Sequence, residues 1–225
     1  MNPIGIMQGR LSPPHSQRLQ AFPWNSWEQE FAYAREHRLN YIEWLFEVED
    51  YERNPIWTQE GVRRINELVQ AQGVAVNSVC AAYFLAHPFF RVPSDERAAS
   101  IRVLKRLIRQ AAHIGVKIIL IPVLEVAEIH SEIDAALLVD AMRDCLPSAH
   151  ECGIHLALET ELPADQYKSL IMDIGDDHIG VYYDIGNAAA QGYDIFLSGN
   201  ATFANAVTFQ NTGTLDLGNA TSDTL

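Results

Sequence analysis

The sequence predicts an α/β fold, a (β/α) TIM-type barrel of about six βα units that is incomplete, followed by an unrelated Thr/Asn-rich, β-prone tail. Three observations predict it. Short apolar runs alternate with amphipathic stretches over most of the chain, the pattern of a parallel sheet covered by helices. Several of those runs, Ile118 to Val123 above all, are continuously apolar and rich in β-branched residues, as expected of strands buried on both faces. No phosphate-binding glycine pattern follows the first strand, where the chain reads Gln8-Gly9-Arg10-Leu11-Ser12. That absence favours a barrel over an open, doubly wound, nucleotide-binding sheet.

Each element has its own signal. Ile4 to Met7 is the first strand. Ser26 opens a helix, with Gln29 three residues on as a capping-box partner. Tyr41 to Phe46 is the second strand. Thr58 caps a helix with Val62, Ile65, Leu68 and Val69 on one face, and Gly73 stops it. Val74 to Val79 is the third strand. Ser94, after Pro93, opens a long helix whose apolar positions Ile101, Leu104, Ile108, Ala111 and Ile114 recur every three or four residues until Gly115. Ile118 to Val123 is the fourth strand. A helix from about Asp134 turns Leu137, Leu138, Ala141 and Met142 inward; Pro147 is expected to break or kink it, and Gly153 closes it. Ile154 to Leu158 is the fifth strand, Asp165 to Met172 a short helix, and Ile179 to Tyr183 the sixth strand.

The text changes after that. From Ile185 to Leu225 there is no Lys, Arg, His or Glu, and Gly-Asn-Ala-Thr occurs at Gly199 and again at Gly218, 19 residues apart. Phe203, Val207, Phe209, Leu215 and Leu217 stand in Thr-rich, strand-like settings. This reads as a β-solenoid rung rather than a seventh and eighth βα unit. The expected division is a barrel domain over 1–194 and a tail over 195–225.

Composition narrows the function. With 48 % apolar and 20 % charged residues the chain is that of a soluble globular protein. Its 16 Lys and Arg against 29 Asp and Glu give a net charge of −13, which argues against nucleic acid, whose phosphates demand a basic surface. There is no signal-peptide pattern at the N-terminus and no apolar run of membrane-spanning length, so a cytoplasmic location without membrane attachment is expected. Cys80, Cys145 and Cys152 show no ligand spacing and read as small buried apolar residues. Trp24, Trp27, Trp44 and Trp57 read as core.

Two apolar strands end in a carboxylate: His155-Leu156-Ala157-Leu158-Glu159 and Gly180-Val181-Tyr182-Tyr183-Asp184. The carboxyl ends of barrel strands line the active site, and adjacent strands lie ~4.8 Å apart, so two carboxylates there can share one divalent cation. Alternation of side chains would put Ala157 and His155 below an inward Glu159. Read alone, the same residues are equally well strand-end acids meeting solvent.

The segments Ile6-Met7-Gln8-Gly9-Arg10-Leu11-Ser12, Ile42-Glu43, Gly153 to Glu159 and Val181-Tyr182-Tyr183-Asp184-Ile185-Gly186-Asn187 resemble, in order, the sugar phosphate isomerase/epimerase family of xylose isomerase-like TIM barrels. The resemblance spans about residues 4 to 194. It implies one divalent cation, Mn²⁺ or Mg²⁺ with Zn²⁺ or Co²⁺ as alternatives, held by a Glu on strand five, an Asp on strand six, a His on strand seven and a Glu on strand eight. Glu159 and Asp184 match the first two. In the epimerase branch the two Glu ligands also move the proton, from opposite faces of the sugar, which makes Glu159 the catalytic candidate. Residues 185–225 hold neither His nor Glu, so the other two ligands cannot come from them.

Glu43, His87 and Asn187 are the substrate-binding candidates. Each has an ordinary alternative: an ion-paired barrel Glu, a non-catalytic loop His and a turn-setting Asn. Arg10 could contact a phosphate, but a surface ion pair fits it better. The expected partner is a small sugar, with homo-oligomer formation. The expected function is metal-dependent isomerisation or epimerisation through an enediolate, impaired in this chain. The competing readings are a non-catalytic truncated or fused fragment and, disfavoured by charge, a metal-dependent endonuclease-type phosphodiesterase.

Overall fold

The computed structural model describes residues 3–13, 21–182, 184, 195–197 and 215–217. Six strands form one sheet: β1 (Gly5–Met7), β2 (Tyr41–Leu45), β3 (Ala75–Cys80), β4 (Ile118–Val123), β5 (His155–Thr160) and β6 (Ile179–Val181). Their order in the sheet is their order in sequence, and every neighbouring pair is parallel. Consecutive parallel strands need a crossover, and helices supply it: α1 (Trp27–Glu36), α2 (Gln59–Gln72), α4 (Ser94–Ala112), α5 (Glu132–Cys152) and α6 (Ala164–Ile174) each return the chain to the strand starts. A four-residue helix, α3 (Tyr83–Ala86), and 3₁₀ turns at Tyr51–Arg53, Pro55–Trp57 and Glu125–Ala127 follow strand ends. No helix among the described residues is long and apolar enough to cross a membrane.

The caps explain most boundaries. Thr58 Oγ1 accepts from Gly61 N at 3.0 Å and Ser131 Oγ accepts from Asp134 N at 3.1 Å, each satisfying an orphan donor of the helix start. Gly73, Gly153 and Gly175 end α2, α5 and α6 in the left-handed region, where the lack of a Cβ removes the steric cost. One expected cap is missing and one expected break does not occur. Ser26 precedes α1 but makes no side-chain cap. Pro147 does not break α5, which runs 21 residues through it. Pro147 is exposed, while Ala141, Met142, Cys145, Leu146 and Ala149 around it are buried; that packing holds the helix together across the missing N–H.

The core lies between sheet and helices, with Ile42, Trp44, Val79, Ile119, Ile121, Leu156 and Leu158 from the strands against Phe31, Ile65, Leu104, Ile108, Leu138 and Met142 from the helices. Cys80 and Cys145 are buried and all three cysteines are free. Trp44 and Trp57 are buried and Trp24 and Trp27 pack against the core. In the tail, β7 (Ile195–Leu197) and β8 (Leu215–Leu217) pair in parallel, Ile195 opposite Leu215. The rest of the tail reading, Phe203, Val207 and Phe209 included, lies outside the described residues.

Candidate active site at the carboxyl ends of the strands

Because all six strands run the same way, residues at their C-terminal ends collect on one face. The loop after β1 is shaped by a buried acid. The carboxylate of Glu30, on α1 and 1 % exposed, accepts from Gly9 N (2.9 Å), Leu11 N (3.3 Å) and Ser12 Oγ (2.7 Å). Gln8 is buried, and its Oε1 accepts from Leu45 N at 3.1 Å. Its Nε2 has no partner among the described residues. Arg10, in the same loop, is exposed. Glu47, just past β2, is buried and accepts from Phe22 N at 2.6 Å.

Glu159 is the penultimate residue of β5, opposite Pro122 of β4, and is 8 % exposed. Asp184 lies three residues past β6 and is exposed. Glu43 sits mid-way along β2, half-buried, and accepts from Ser78 Oγ at 2.9 Å. Burial pushes its carboxyl above the ordinary range, and the Ser78 bond offsets part of that. The charges of these acids all act on Tyr182. Its N–H donates to Leu158 O at 2.7 Å, which fixes it beside the end of β5. Burial raises the Tyr182 phenol, and the charges of Glu43, Glu159 and Asp184 raise it further. Cys80, ending β3, is likewise pushed up by burial and then by Glu43 and Glu159. It therefore stays a protonated thiol at neutral pH and is a poor metal ligand. The available donors are carboxylate oxygens, which suit a hard divalent cation.

An aromatic group stands beside them at the ends of β2 and β3. Phe46 stacks on Trp57 (5.1 Å), Tyr51 tilts on Tyr83 (4.9 Å), and His87 stacks on Tyr83 (4.5 Å). The Tyr83 phenol is pushed up to about 12 by burial and then by Tyr51 and Glu52. His87, the C-cap of α3, is half-buried. Asn187 lies outside the described residues. His155, expected beneath Glu159, is at the opposite end of β5, where it stacks on His178 at 4.4 Å. A groove of about 990 Å³ between α5 and α6, lined by His130, Arg143 and Asp173 among others, holds none of the candidate residues.

Glu30, Glu47 and the Tyr83–His87 stack were missed in the sequence. An isolated Glu on an amphipathic helix looks solvent-facing, and a four-residue helix shows no periodicity. A run of main-chain donors after a strand, Gln8 to Ser12, was the one signal that a buried acceptor had to exist.

The chain belongs to the xylose isomerase-like TIM barrel family, whose model matches residues 31–219. Solved structures agree on the fold. L-ribulose 3-epimerase is 17% identical with a TM-score of 0.67, over 86% of this chain and 64% of its own. A xylose isomerase-like TIM barrel protein from Mycobacterium smegmatis in complex with magnesium is 17% identical with a TM-score of 0.62, over 83% of this chain and 66% of its own. D-psicose 3-epimerase from Clostridium cellulolyticum H10 is 13% identical with a TM-score of 0.62, over 80% of this chain and 62% of its own. The chain thus spans just under two thirds of the structures it matches. No curated protein matches it.

Proposed function

We propose that the chain is a divalent-metal-dependent isomerase or epimerase of a small sugar or sugar phosphate that moves a proton through an enediolate. The observation that supports this is the buried Glu159 at the carboxyl end of β5 in a xylose isomerase-like barrel, with the charges of Glu43, Glu159 and Asp184 all acting on Tyr182. Glu159 and Asp184 are the cation ligands. Mn²⁺ or Mg²⁺ fits their oxygens best, and one neighbour was solved with magnesium. When bound, the cation supplies Lewis-acid polarisation of the sugar carbonyl and its adjacent hydroxyl.

This chain's own residues do the rest. Glu159, almost fully enclosed, takes the proton from the carbon beside the carbonyl, with burial keeping water from competing. Glu43, whose carboxylate accepts from Ser78 Oγ at 2.9 Å, holds a sugar hydroxyl. His87 and Asn187 complete the hydroxyl contacts, and Tyr51 offers an apolar face. The absence of His and Glu from residues 185–225 favours a second reading for these 225 residues, a weakly active or non-catalytic chain. Two carboxylates leave a hard cation mostly hydrated, and epimerisation needs a second positioned acid or base. The substrate is then the only partner besides further copies of the chain, and the site of action is the cytoplasm.

The test is an epimerisation assay across a panel of ketoses and their phosphates with Mn²⁺. It is run on the 225-residue chain and on a chimera carrying strands seven and eight of a complete relative after β6. The chain alone is expected to show little turnover; the chimera is expected to be active and to lose activity on Glu159→Gln. A chimera that folds and binds Mn²⁺ but epimerises no sugar on the panel contradicts the reading.

A further inference from the structure

The opposite end of the sheet carries a second group of ligating side chains. His150 lies in the last turn of α5, and Asp176, Asp177 and His178 form the lead into β6. One ligand atom each from His150, Asp177 and His178 falls within 4.8 Å of the others. The rings of His150 and His178 are 4.0 Å apart between centroids, and His155 stacks on the other side of His178 at 4.4 Å. None of these residues belongs to the Glu159–Asp184 site.

The surroundings are those of imidazoles set up to ligate. His178 Nδ1 is 2.7 Å from Ile154 O. A carbonyl only accepts, so Nδ1 carries a proton, and in the neutral ring Nε2 is the nitrogen with the lone pair. Asp176 fixes the neighbouring positions: its carboxylate accepts from His178 N at 2.7 Å and contacts His150 Nε2 at 2.9 Å. A ring nitrogen held by a backbone carbonyl and a carboxylate beside the second ring are the outer contacts that orient metal-binding histidines. His150 and Asp177 are exposed and His178 half-buried, so a cation can enter and retain water.

We propose that His150, Asp177 and His178 form a second metal site, at the foot of the barrel, for a zinc-class cation. Two imidazoles and one carboxylate, with water in the fourth position, match the preference of Zn²⁺ and its relatives rather than of Mg²⁺ or Ca²⁺. Tetrahedral ligands at ~2.0–2.1 Å from zinc stand about 3.3 Å from one another, so ligand atoms now within 4.8 Å of one another close by up to about 1.5 Å on binding. The exposed His150 and Asp177 supply that movement, while His178 is held in place by Ile154 O. The bound ion ties the last turn of α5 to the start of β6, the final strand of the sheet, so it acts as a staple on that strand.

The experiment uses the full chain carrying Glu159→Gln and Asp184→Asn, which removes the strand-end carboxylates and keeps this test independent of the proposed function. Co²⁺ is titrated and followed by its ligand-field absorption, with displacement by Zn²⁺ and with imidazole proton NMR. One equivalent is expected to bind with a tetrahedral spectrum and to shift the His150 and His178 resonances. His150→Gln or His178→Gln is expected to weaken affinity at least tenfold, whereas His37→Gln leaves it unchanged. If either ring variant folds poorly, exposed Asp177→Asn is the substitute and is also expected to weaken binding. No Co²⁺ uptake, or uptake indifferent to His150, Asp177 and His178, overturns the proposal.

Discussion

Glu30 shows how much of the strand-end face depends on one side chain. Its carboxylate is the acceptor for Gly9 N, Leu11 N and the Ser12 hydroxyl. Hydrogen bonds to a charged group are worth about 1.5–3 kcal/mol each, and orphaned buried donors cost more than weak ones gained. Glu30→Ala is therefore expected to destabilise the chain by at least about 3 kcal/mol in urea unfolding, with Glu30→Gln intermediate because one oxygen is kept. Glu43 makes the opposite case. Its folded-state pKa lies above the ordinary value of 4.5 because burial disfavours the charge. A raised carboxyl stabilises the fold fully below the unfolded pKa and loses that contribution as pH rises through the folded one. Glu43→Gln keeps an acceptor for Ser78 and removes the charge. It is expected to be nearly neutral at acid pH and stabilising at neutral pH, the difference growing across the interval just above the ordinary carboxylate range. Paired unfolding curves over that interval check it; a difference that does not change with pH contradicts it.

At the scale of the element, most of the fold was legible. The continuous apolar run at Ile118–Val123 is β4 to the residue, and the helix stops at Gly73 and Gly153 were visible as glycines after a 3.6-residue repeat. Local caps and periodicity carry that information. The effect of Pro147 was not legible, because what decides it is packing on the far side of α5, contributed by residues the local sequence does not show. Gly61 makes the same point as a prediction. By helix propensity alone, Gly61→Ala in α2 gains about 1 kcal/mol. A Cβ there, however, meets Pro55 O at 2.1 Å and Pro55 Cα at 2.5 Å. The turn Pro55–Trp57 cannot retreat freely, since Arg106 and Gln110 of α4 donate to Trp57 O and Ile56 O. The clash outweighs propensity, and Gly61→Ala is expected to cost about 2 kcal/mol by the usual scale of overpacking, read as a lowered urea midpoint. A raised midpoint means the turn is softer than these bonds imply.

For the whole molecule, topology does what sequence spacing does not reveal. Parallel order brings Glu43, Glu159 and Asp184 to one face and His150, His155 and His178 to the other, from positions far apart in the chain. Glu159 and Asp184 carry a signal in the sequence because each closes an apolar run, whereas Glu43 stands inside one. The histidines carry none, since each stands alone at a different element boundary. The central claim is that the strand-end acids, not the histidine cluster, hold the Mn²⁺-class cation of the reaction. Calorimetric Mn²⁺ titration tests it on three proteins: the unaltered chain, its Glu159→Gln/Asp184→Asn variant and its His150→Gln/His178→Gln variant. Weak binding of one Mn²⁺ by the first and third, and none by the second, is the predicted result. Binding that survives loss of Glu159 and Asp184 would contradict the account.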